Sequence, residues 1–137
     1  MPLTMNQVDN QFAEIFGGPV DVIHQYTRAE AIEDGVLIDV TNVAEEAGFK
    51  YPVAMTANVW YECIEPSEHC RNLGQTERGR LFDLFTMLHF AIKAKQGPAD
   101  LILFNVKFGR QVYALKSLCH GGDNAEPVIT IMFIGED

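Results

Sequence analysis

Cysteine and histidine are the residue types in this chain that could hold a transition metal, and several of them lie close together. Cys63, His69 and Cys70 fall within one short segment, and Cys119 directly precedes His120. Zinc sites commonly contain a pair of cysteine ligands with about two to four residues between them. The C-x5-H-C spacing here lacks such a pair, and Cys63 falls on the apolar face of a predicted helix, where a free cysteine packs as a small hydrophobic residue. We therefore predict no metal site and no cofactor.

The acids and bases that could carry catalysis form no recognisable motif. The G-x-S-x-G elbow, the Walker loop, G-x-G-x-x-G and H-E-x-x-H are all absent. His89 lies beside Phe90 in a predicted helix, which is typical of a core histidine. Asp39 is more informative, because a carboxylate in an otherwise apolar strand is costly unless it is paired. It either caps the next helix, pairs with Arg28 or Arg80, or belongs to a functional site.

A ligand pocket is the functional interpretation of these polar residues. The residues expected to bind a ligand are Tyr26, Arg28, Asp39, Trp60 and Arg80. Trp60 would supply a stacking surface, and core packing is its alternative role. The segment Gly121-Gly122-Asp123-Asn124 could present backbone amides to an anion, but such a sequence is more typical of an ordinary turn. Whether the protein is an enzyme stays open at this point.

Helical signals dominate the first part of the chain. Apolar spacing predicts a peripheral N-terminal helix over residues 6–16, and partial alternation predicts a strand over 20–26. Thr27-x-x-Glu30 is a capping box and predicts a helix over 28–34 that ends at Gly35. Asn42 should cap a short helix that ends at Gly48, and Thr56 should cap a helix over 57–64. A polar loop is expected over 66–74.

One long helix, over residues 77–95, should be the central element. Leu81, Leu84, Phe85, Leu88 and Ile92 form its apolar stripe, and Phe82, Met87 and Phe90 widen that stripe. A wide stripe predicts a largely buried helix.

Strand signals fill the remainder. Residues 101–108, 111–119 and 127–134 are rich in β-branched and aromatic side chains, and Gly109-Arg110 between the first two suits a type II′ hairpin turn. These strands predict a three-stranded antiparallel meander under the long helix, with residues 36–40 as a further buried strand at an edge. The predicted class is α+β, in a single domain over 1–137.

Composition limits the kind of partner. The chain has 137 residues, a net charge of -9 and three cysteines, and shows no signal peptide and no membrane-spanning run. We therefore expect a cytoplasmic protein with reduced thiols. The acids concentrate before residue 69 and in the last residues, whereas the segment 71–116 is basic. Overall acidity disfavours nucleic acid as a partner, and the basic segment leaves a local nucleic-acid patch as an alternative.

Several blocks of the sequence form a recognisable pattern over residues 17–137. The most specific block starts at Tyr26-Thr27-Arg28-Ala29 and ends at Asp39-Val40-Thr41. Further blocks are residues 47–54, 59–60, 79–83 and 126–131. Together these blocks resemble a family of small bacterial proteins encoded on plasmids, phages and other mobile elements. The resemblance implies a mobile-element context and an unknown function, and it carries no activity, cofactor or catalytic residue with it.

Two main hypotheses follow. The first is a non-catalytic interaction or regulatory protein of a mobile element, whose acidic surface engages a basic host protein. The alternative is a small enzyme or ligand-binding domain with a pocket near Tyr26, Arg28, Asp39 and Arg80. The oligomeric state is left open, and no membrane partner is expected.

Overall fold

The computed structural model describes residues 25–96 and 100–136. The predicted helix over 6–16 and most of the predicted strand over 20–26 lie outside this range, and residues 25 and 26 are not in a strand. The described helices are α1 (Arg28–Glu33), α2 (Thr41–Glu46), α3 (Ala57–Val59), α4 (Glu68–Asn72) and α5 (Glu77–Ala94). The described strands are β1 (Leu37–Asp39), β2 (Val53–Thr56), β3 (Leu101–Phe108), β4 (Gln111–Gly121) and β5 (Pro127–Phe133). The α+β class is confirmed.

The described strands form one sheet in the order β1-β2-β5-β4-β3. β3, β4 and β5 make the predicted antiparallel meander, while β5 pairs parallel with β2, and β2 pairs antiparallel with β1. β2 was not predicted. Its short sequence, Val-Ala-Met-Thr, lacks polar alternation because residues 53–55 are all buried in the interior of a sheet.

Helix α5 covers one face of the sheet, as predicted. Its buried side chains recur at helical spacing and pack against the alternate buried residues of β3. The side chains in this contact are Leu81, Leu84, Phe85 and Leu88 on α5, and Ile102, Phe104, Val106 and Phe108 on β3. Burying each large apolar side chain contributes about 1.5–3 kcal/mol, so this layer is the main source of stability. The prediction of a largely buried helix is wrong in part, because Met87 is 42% exposed and Phe90 61% exposed.

The opposite face of the sheet is covered unevenly. On β5, Val128, Thr130 and Met132 point to this face and are buried. On β3, the alternate residues, which include Leu101 and Leu103, are exposed on the same face. Helix α1 lies on the covered part, which places the N-terminal end of α1 beside the turn between β4 and β5.

Three local predictions need correction. Asn42 does not cap α2: the cap position is Val40, and Asp39 supplies the side-chain acceptor. The expected polar loop contains α4, which Ser67 caps through the amide of Cys70. The helix that Thr56 caps begins as predicted but widens after Val59 into a π-helical turn, Trp60–Ile64.

The hairpin between β3 and β4 forms as predicted. Gly109 has a φ of 63°, whereas Arg110 keeps a negative φ, which is the pattern of a type II′ turn. Among the described residues, no helix is both long and apolar enough to cross a membrane.

Candidate functional site

The N-terminal end of α1 is fixed by a carboxylate from the β4–β5 turn. Thr27 and Glu30 form the predicted capping box. The carboxylate of Asp123 accepts the backbone N–H groups of Arg28 at 2.7 Å and Ala29 at 3.0 Å. A six-residue helix is too short to persist alone, so contacts of this kind hold it in place.

The side chain of Arg28 crosses from α1 to β5. Its guanidinium donates to the Thr130 hydroxyl at 2.6 Å and to the Ile129 carbonyl at 2.8 Å. Burial lowers the pKa of Arg28, and the charges of Asp39, Asp123 and Glu126 oppose that shift. Within residues 25–96 and 100–136, no carboxylate lies within 4.0 Å of this guanidinium. Two of its five N–H donors are therefore used by β5, and its charge has no direct counter-ion there.

His120 completes a hydrogen-bonded chain with Thr130. Its Nδ1 lies 3.0 Å from the Gly121 carbonyl, and its Nε2 lies 2.8 Å from the Thr130 hydroxyl. A carbonyl can only accept, so Nδ1 carries a proton, and in the neutral ring Nε2 accepts from Thr130. The Thr130 hydroxyl thus accepts from Arg28 and donates to His120. It is 5% exposed, so it is not placed to attack a substrate.

Two adjoining cavities open beside this chain of side chains, and both are lined by Tyr26, Thr27, Arg28 and His120. One has a volume of about 290 Å³ and extends over the polar backbone of residues 121–123. The other has a volume of about 340 Å³ and extends over apolar side chains, which are Ala31, Val36, Leu37 and Met132. We call the two cavities together the Arg28 groove. Its polar and apolar ends meet at the guanidinium.

Tyr26 stands at the mouth of the Arg28 groove. It is 52% exposed, and its hydroxyl donates to Asp34 at 2.8 Å. This hydrogen bond raises the pKa of Tyr26 above its ordinary value, with smaller contributions from burial and from the nearby acids. The hydrogen bond links the Tyr26 phenol to Asp34 at the end of α1, beside the cavity.

Asp39 lies near this site but is engaged elsewhere. It is exposed rather than buried, so the predicted cost of a carboxylate in an apolar strand does not arise. One carboxylate oxygen accepts both the amide of Thr41, at 3.0 Å, and its hydroxyl, at 2.6 Å. Asp39 therefore bonds to the first residue of α2 from the position before the cap residue Val40, and among the described residues it forms no hydrogen bond or ion pair with Arg28 or Arg80.

Arg80 and Trp60 lie apart from the Arg28 groove. Arg80 is 8% exposed and donates to the Cys63 carbonyl at 2.9 Å and to the Gln75 side chain at 2.7 Å. Its guanidinium also lies 5.0 Å from the centre of the Phe108 ring. Trp60 packs against the main core from the π-helical turn. The structure therefore brings Tyr26 and Arg28 together, with Asp39 nearby, and places the other two residues around the α5 helix.

The sequence did not point to Thr130 or Asp123 as members of this site. Thr130 lies inside an apolar strand, and Asp123 reads as a turn residue, so their types carry no functional signal. His120 was considered only as a zinc ligand. Among the described residues, no three histidine, cysteine or acidic side chains are arranged to hold a metal ion. The turn amides of Gly122, Asn124 and Ala125 are bonded within the turn, so these three amides are not open to an anion.

Comparison with known proteins places the chain in a family. Searches of curated proteins and of solved structures gave no significant match. The model of a family of unknown function, DUF6573, matches residues 12–137. The resemblance to a family of unknown function is thereby confirmed, whereas the match carries no information on plasmid or phage origin. The chain belongs to the DUF6573 family of unknown function.

Proposed function

We propose that this protein is a non-catalytic regulatory module of a mobile element that works by binding a ligand in the Arg28 groove. One observation carries the proposal. A half-buried guanidinium, which bonds among the described residues only to Thr130 and Ile129, has no described carboxylate in contact and lines two adjoining cavities. An arginine that is removed from water gains most from a bound carboxylate, because the charged hydrogen bonds replace the lost hydration.

The shape and charge of the Arg28 groove narrow the ligand class. The carboxylates of Asp39, Asp123 and Glu126 act on Arg28 from a distance, and they would repel a ligand with more than one negative charge. A single carboxylate is therefore favoured over a phosphate. The apolar end of the groove, at Val36, Leu37 and Met132, suits an aliphatic side chain next to that carboxylate. A peptide or small acid with a single carboxylate next to an aliphatic group fits both ends of the Arg28 groove.

A matched pair of probes tests the ligand class. N-acetyl-leucine carries the carboxylate and the aliphatic group, whereas N-acetyl-leucinamide lacks only the charge. We expect the acid to shift the NMR signals of Arg28 and His120 and to bind at least about tenfold more tightly than the amide, which corresponds to about 1.4 kcal/mol.

Variants locate the site. Arg28→Lys keeps the charge but loses the two-pronged geometry, so the preference for the acid should fall. Arg110→Lys makes the matched change in the exposed hairpin turn and should leave binding unchanged. Equal binding of acid and amide, or the same preference in Arg28→Lys, would rule the proposal out.

The mobile-element context rests on the sequence resemblance alone. Gene neighbourhoods of family members test it directly. We expect the genes to lie beside replication, transfer or phage genes. Members that lie consistently within stable chromosomal operons would contradict that context.

A basic host protein is the second candidate partner. Some exposed acids in the first half of the chain make no hydrogen bond or ion pair with another described residue. These are Glu33, Glu45, Glu62, Glu65 and Glu68. Exposed negative charges attract a basic partner, and this attraction weakens strongly as the salt concentration rises. Capture of a host protein that persists at high salt, or that survives replacement of these acids by glutamine, would contradict this candidate.

Nucleic-acid binding through the segment 71–116 stays a prediction. Part of its charge is already engaged, because Arg71 pairs with Glu77, Arg78 pairs with Glu46 and Arg80 is buried. The remaining cations are Lys93, Lys95, Lys107, Arg110 and Lys116. An absence of DNA or RNA binding at low salt would exclude it.

A further inference from the structure

Thr130 has one hydroxyl hydrogen, and the ring of His120 accepts it. The hydroxyl oxygen itself accepts from the Arg28 guanidinium at 2.6 Å and lies 2.8 Å from Nε2 of His120. Nδ1 of His120 lies 3.0 Å from the Gly121 carbonyl, so in the neutral ring Nδ1 carries the proton and Nε2 is the acceptor. The hydroxyl hydrogen of Thr130 is therefore unavailable to a ligand while the ring is neutral.

Protonation of His120 reverses this hydrogen bond. In the imidazolium both ring nitrogens donate, so Nε2 donates to the Thr130 oxygen instead of accepting from it. That oxygen can accept from Arg28 and His120 together, because a hydroxyl has two lone pairs. Its hydrogen then needs a different acceptor, and among the described residues the Thr130 hydroxyl has no other hydrogen-bond partner. Protonation of the ring therefore releases a donor beside the apolar cavity of the Arg28 groove, which Thr130 lines.

A bound carboxylate can accept the released hydrogen. Thr130 is only 5% exposed, so a hydroxyl hydrogen without an acceptor is costly at this position. A carboxylate held by Arg28 would lie next to Thr130, because the guanidinium and the hydroxyl are in contact and both residues line the same cavity. Its oxygens could then accept from both side chains. Ligand binding and protonation of His120 therefore favour each other.

The charges around the groove act in the same direction. Some charged or titratable described side chains line the groove with His120 or lie in the adjoining β4–β5 turn, and these are Tyr26, Arg28, Asp123 and Glu126. The carboxylates of Asp123 and Glu126 are bonded to backbone amides and not to the ring. Arg28 repels a charged imidazolium, so the free protein favours the neutral ring. A ligand carboxylate offsets that repulsion.

We propose that Thr130 is a second hydrogen-bond donor to the acidic ligand of the Arg28 groove, and that protonation of His120 makes this donor available. The inference rests on the proposed function, because it needs a carboxylate in the groove. The protein then binds its ligand more tightly as the pH falls through the range in which histidine takes up a proton, about pH 5–8. By reciprocity, ligand binding promotes the uptake of a proton by His120.

Titration of N-acetyl-leucine between about pH 5.5 and about pH 8 tests the coupling. The carboxyl group of the probe stays ionised over that range, because α-carboxyl groups titrate near about pH 3.5. We expect the acid to bind about tenfold more tightly at the lower end of the range, and N-acetyl-leucinamide to show no change. Nitrogen NMR signals of the His120 ring should show protonated Nδ1 and unprotonated Nε2 in the free protein at the upper end. With the acid bound, Nε2 should become protonated at a higher pH than in the free protein.

Three variants locate the coupling. His120→Gln removes the titrating group, so the affinity for the acid should become independent of pH. His69→Gln changes an exposed histidine in α4 and should leave the pH dependence intact. Thr130→Val keeps the shape of the side chain but lacks the hydroxyl, so most of the pH dependence should be lost, whatever happens to the affinity itself. Circular dichroism will confirm that the variants remain folded.

The outcomes separate the coupling from the ligand proposal. An acid that binds more tightly than the amide, but with the same affinity at every pH, would overturn the coupling and leave the ligand proposal standing. Full pH dependence in Thr130→Val or in His120→Gln would also overturn the coupling alone. Equal binding of acid and amide at every pH would remove the ligand proposal and the coupling with it.

Discussion

At the scale of single residues, the buried Cys63 carbonyl is paired by a side chain from another helix, that of Arg80. The π-helical turn at Trp60–Ile64 shifts the backbone pairing, so the Glu65 amide bonds to the Trp60 carbonyl. Arg80 on α5 instead donates a hydrogen bond to the Cys63 carbonyl at 2.9 Å. A charged side chain is retained inside the core because it satisfies this carbonyl.

The Cys63 thiol should be chemically silent in the folded protein. Cys63 is fully buried, and burial, with a smaller effect of Glu62, raises the pKa of its thiol to about 12. The thiolate is the reactive form, so Cys63 should react only through unfolding. Ellman's reagent should therefore titrate Cys70 and Cys119 in native protein and all three cysteines in urea. In a variant with both Cys70 and Cys119 changed to serine, rapid native labelling would contradict this expectation.

Arg80 should contribute more to stability than its neighbour Arg78 on the same helix. Arg80→Ala leaves the buried Cys63 carbonyl unpaired and should lower the free energy of unfolding by about 2–4 kcal/mol. Arg78→Ala removes an exposed ion pair with Glu46 and should cost under about 1 kcal/mol. Urea unfolding followed by Trp60 fluorescence gives both values. Equal losses would contradict a larger contribution from the buried contacts of Arg80 than from the exposed ion pair of Arg78.

At the scale of elements, the parts that could be predicted from sequence are those fixed by nearby residues. The Thr27 capping box, the Gly109 turn and the meander all depend on neighbours in the chain, and all three form. The Arg28 groove depends on Thr130, which lies 102 residues from Arg28 in sequence. Residue type alone indicated Tyr26 and Arg28 as candidates, but only the folded sheet brings Thr130 and Asp123 to them.

Glu136 joins the end of β5 to the start of α3 in a way that depends on pH. Its carboxylate accepts the Phe133 amide and the Thr56 hydroxyl, both at 2.8 Å, and the Asn58 amide at 2.9 Å. Burial alone would raise the pKa of Glu136, but these hydrogen bonds and the charge of Lys116 lower it below 4.5. A lowered folded-state pKa stabilises the fold at neutral pH, and this contribution is lost as the pH falls through the folded-state value.

Replacing Glu136 with glutamine tests this junction. The amide cannot accept all three hydrogen bonds, and the carboxyl group is partly exposed, so Glu136→Gln should cost about 1 kcal/mol or less at pH 7. The difference from wild type should shrink as the pH falls through the lowered folded-state pKa of Glu136 and the carboxyl group protonates. Glu33→Gln, at an exposed position, should have no effect at either pH. A difference that grows at acid pH would contradict the assigned hydrogen bonds.

At the scale of the whole molecule, one strand pairing joins the two parts of the described sheet. β1 and β2 come from the acidic first half, whereas β3, β4 and β5 follow the long helix. They meet where β2 lies parallel to β5, with Met55 beside Ile131. This pairing was not predictable, because β2 is short, buried and far in sequence from its partner. It is also the reason to expect the described chain to unfold as one unit.

Ile131 lies at that junction and provides the test of cooperativity. It is fully buried in the main core, so Ile131→Ala should lower the free energy of unfolding by about 2–5 kcal/mol. Trp60 fluorescence reports on the first half, and far-ultraviolet circular dichroism reports on the whole chain. Because the halves share one sheet, both signals should give the same urea midpoint in wild type, and both should shift together in the variant. Val112→Ala, at an exposed position, should leave both midpoints in place. Two separate transitions, or a shift confined to one signal, would mean that the halves fold independently.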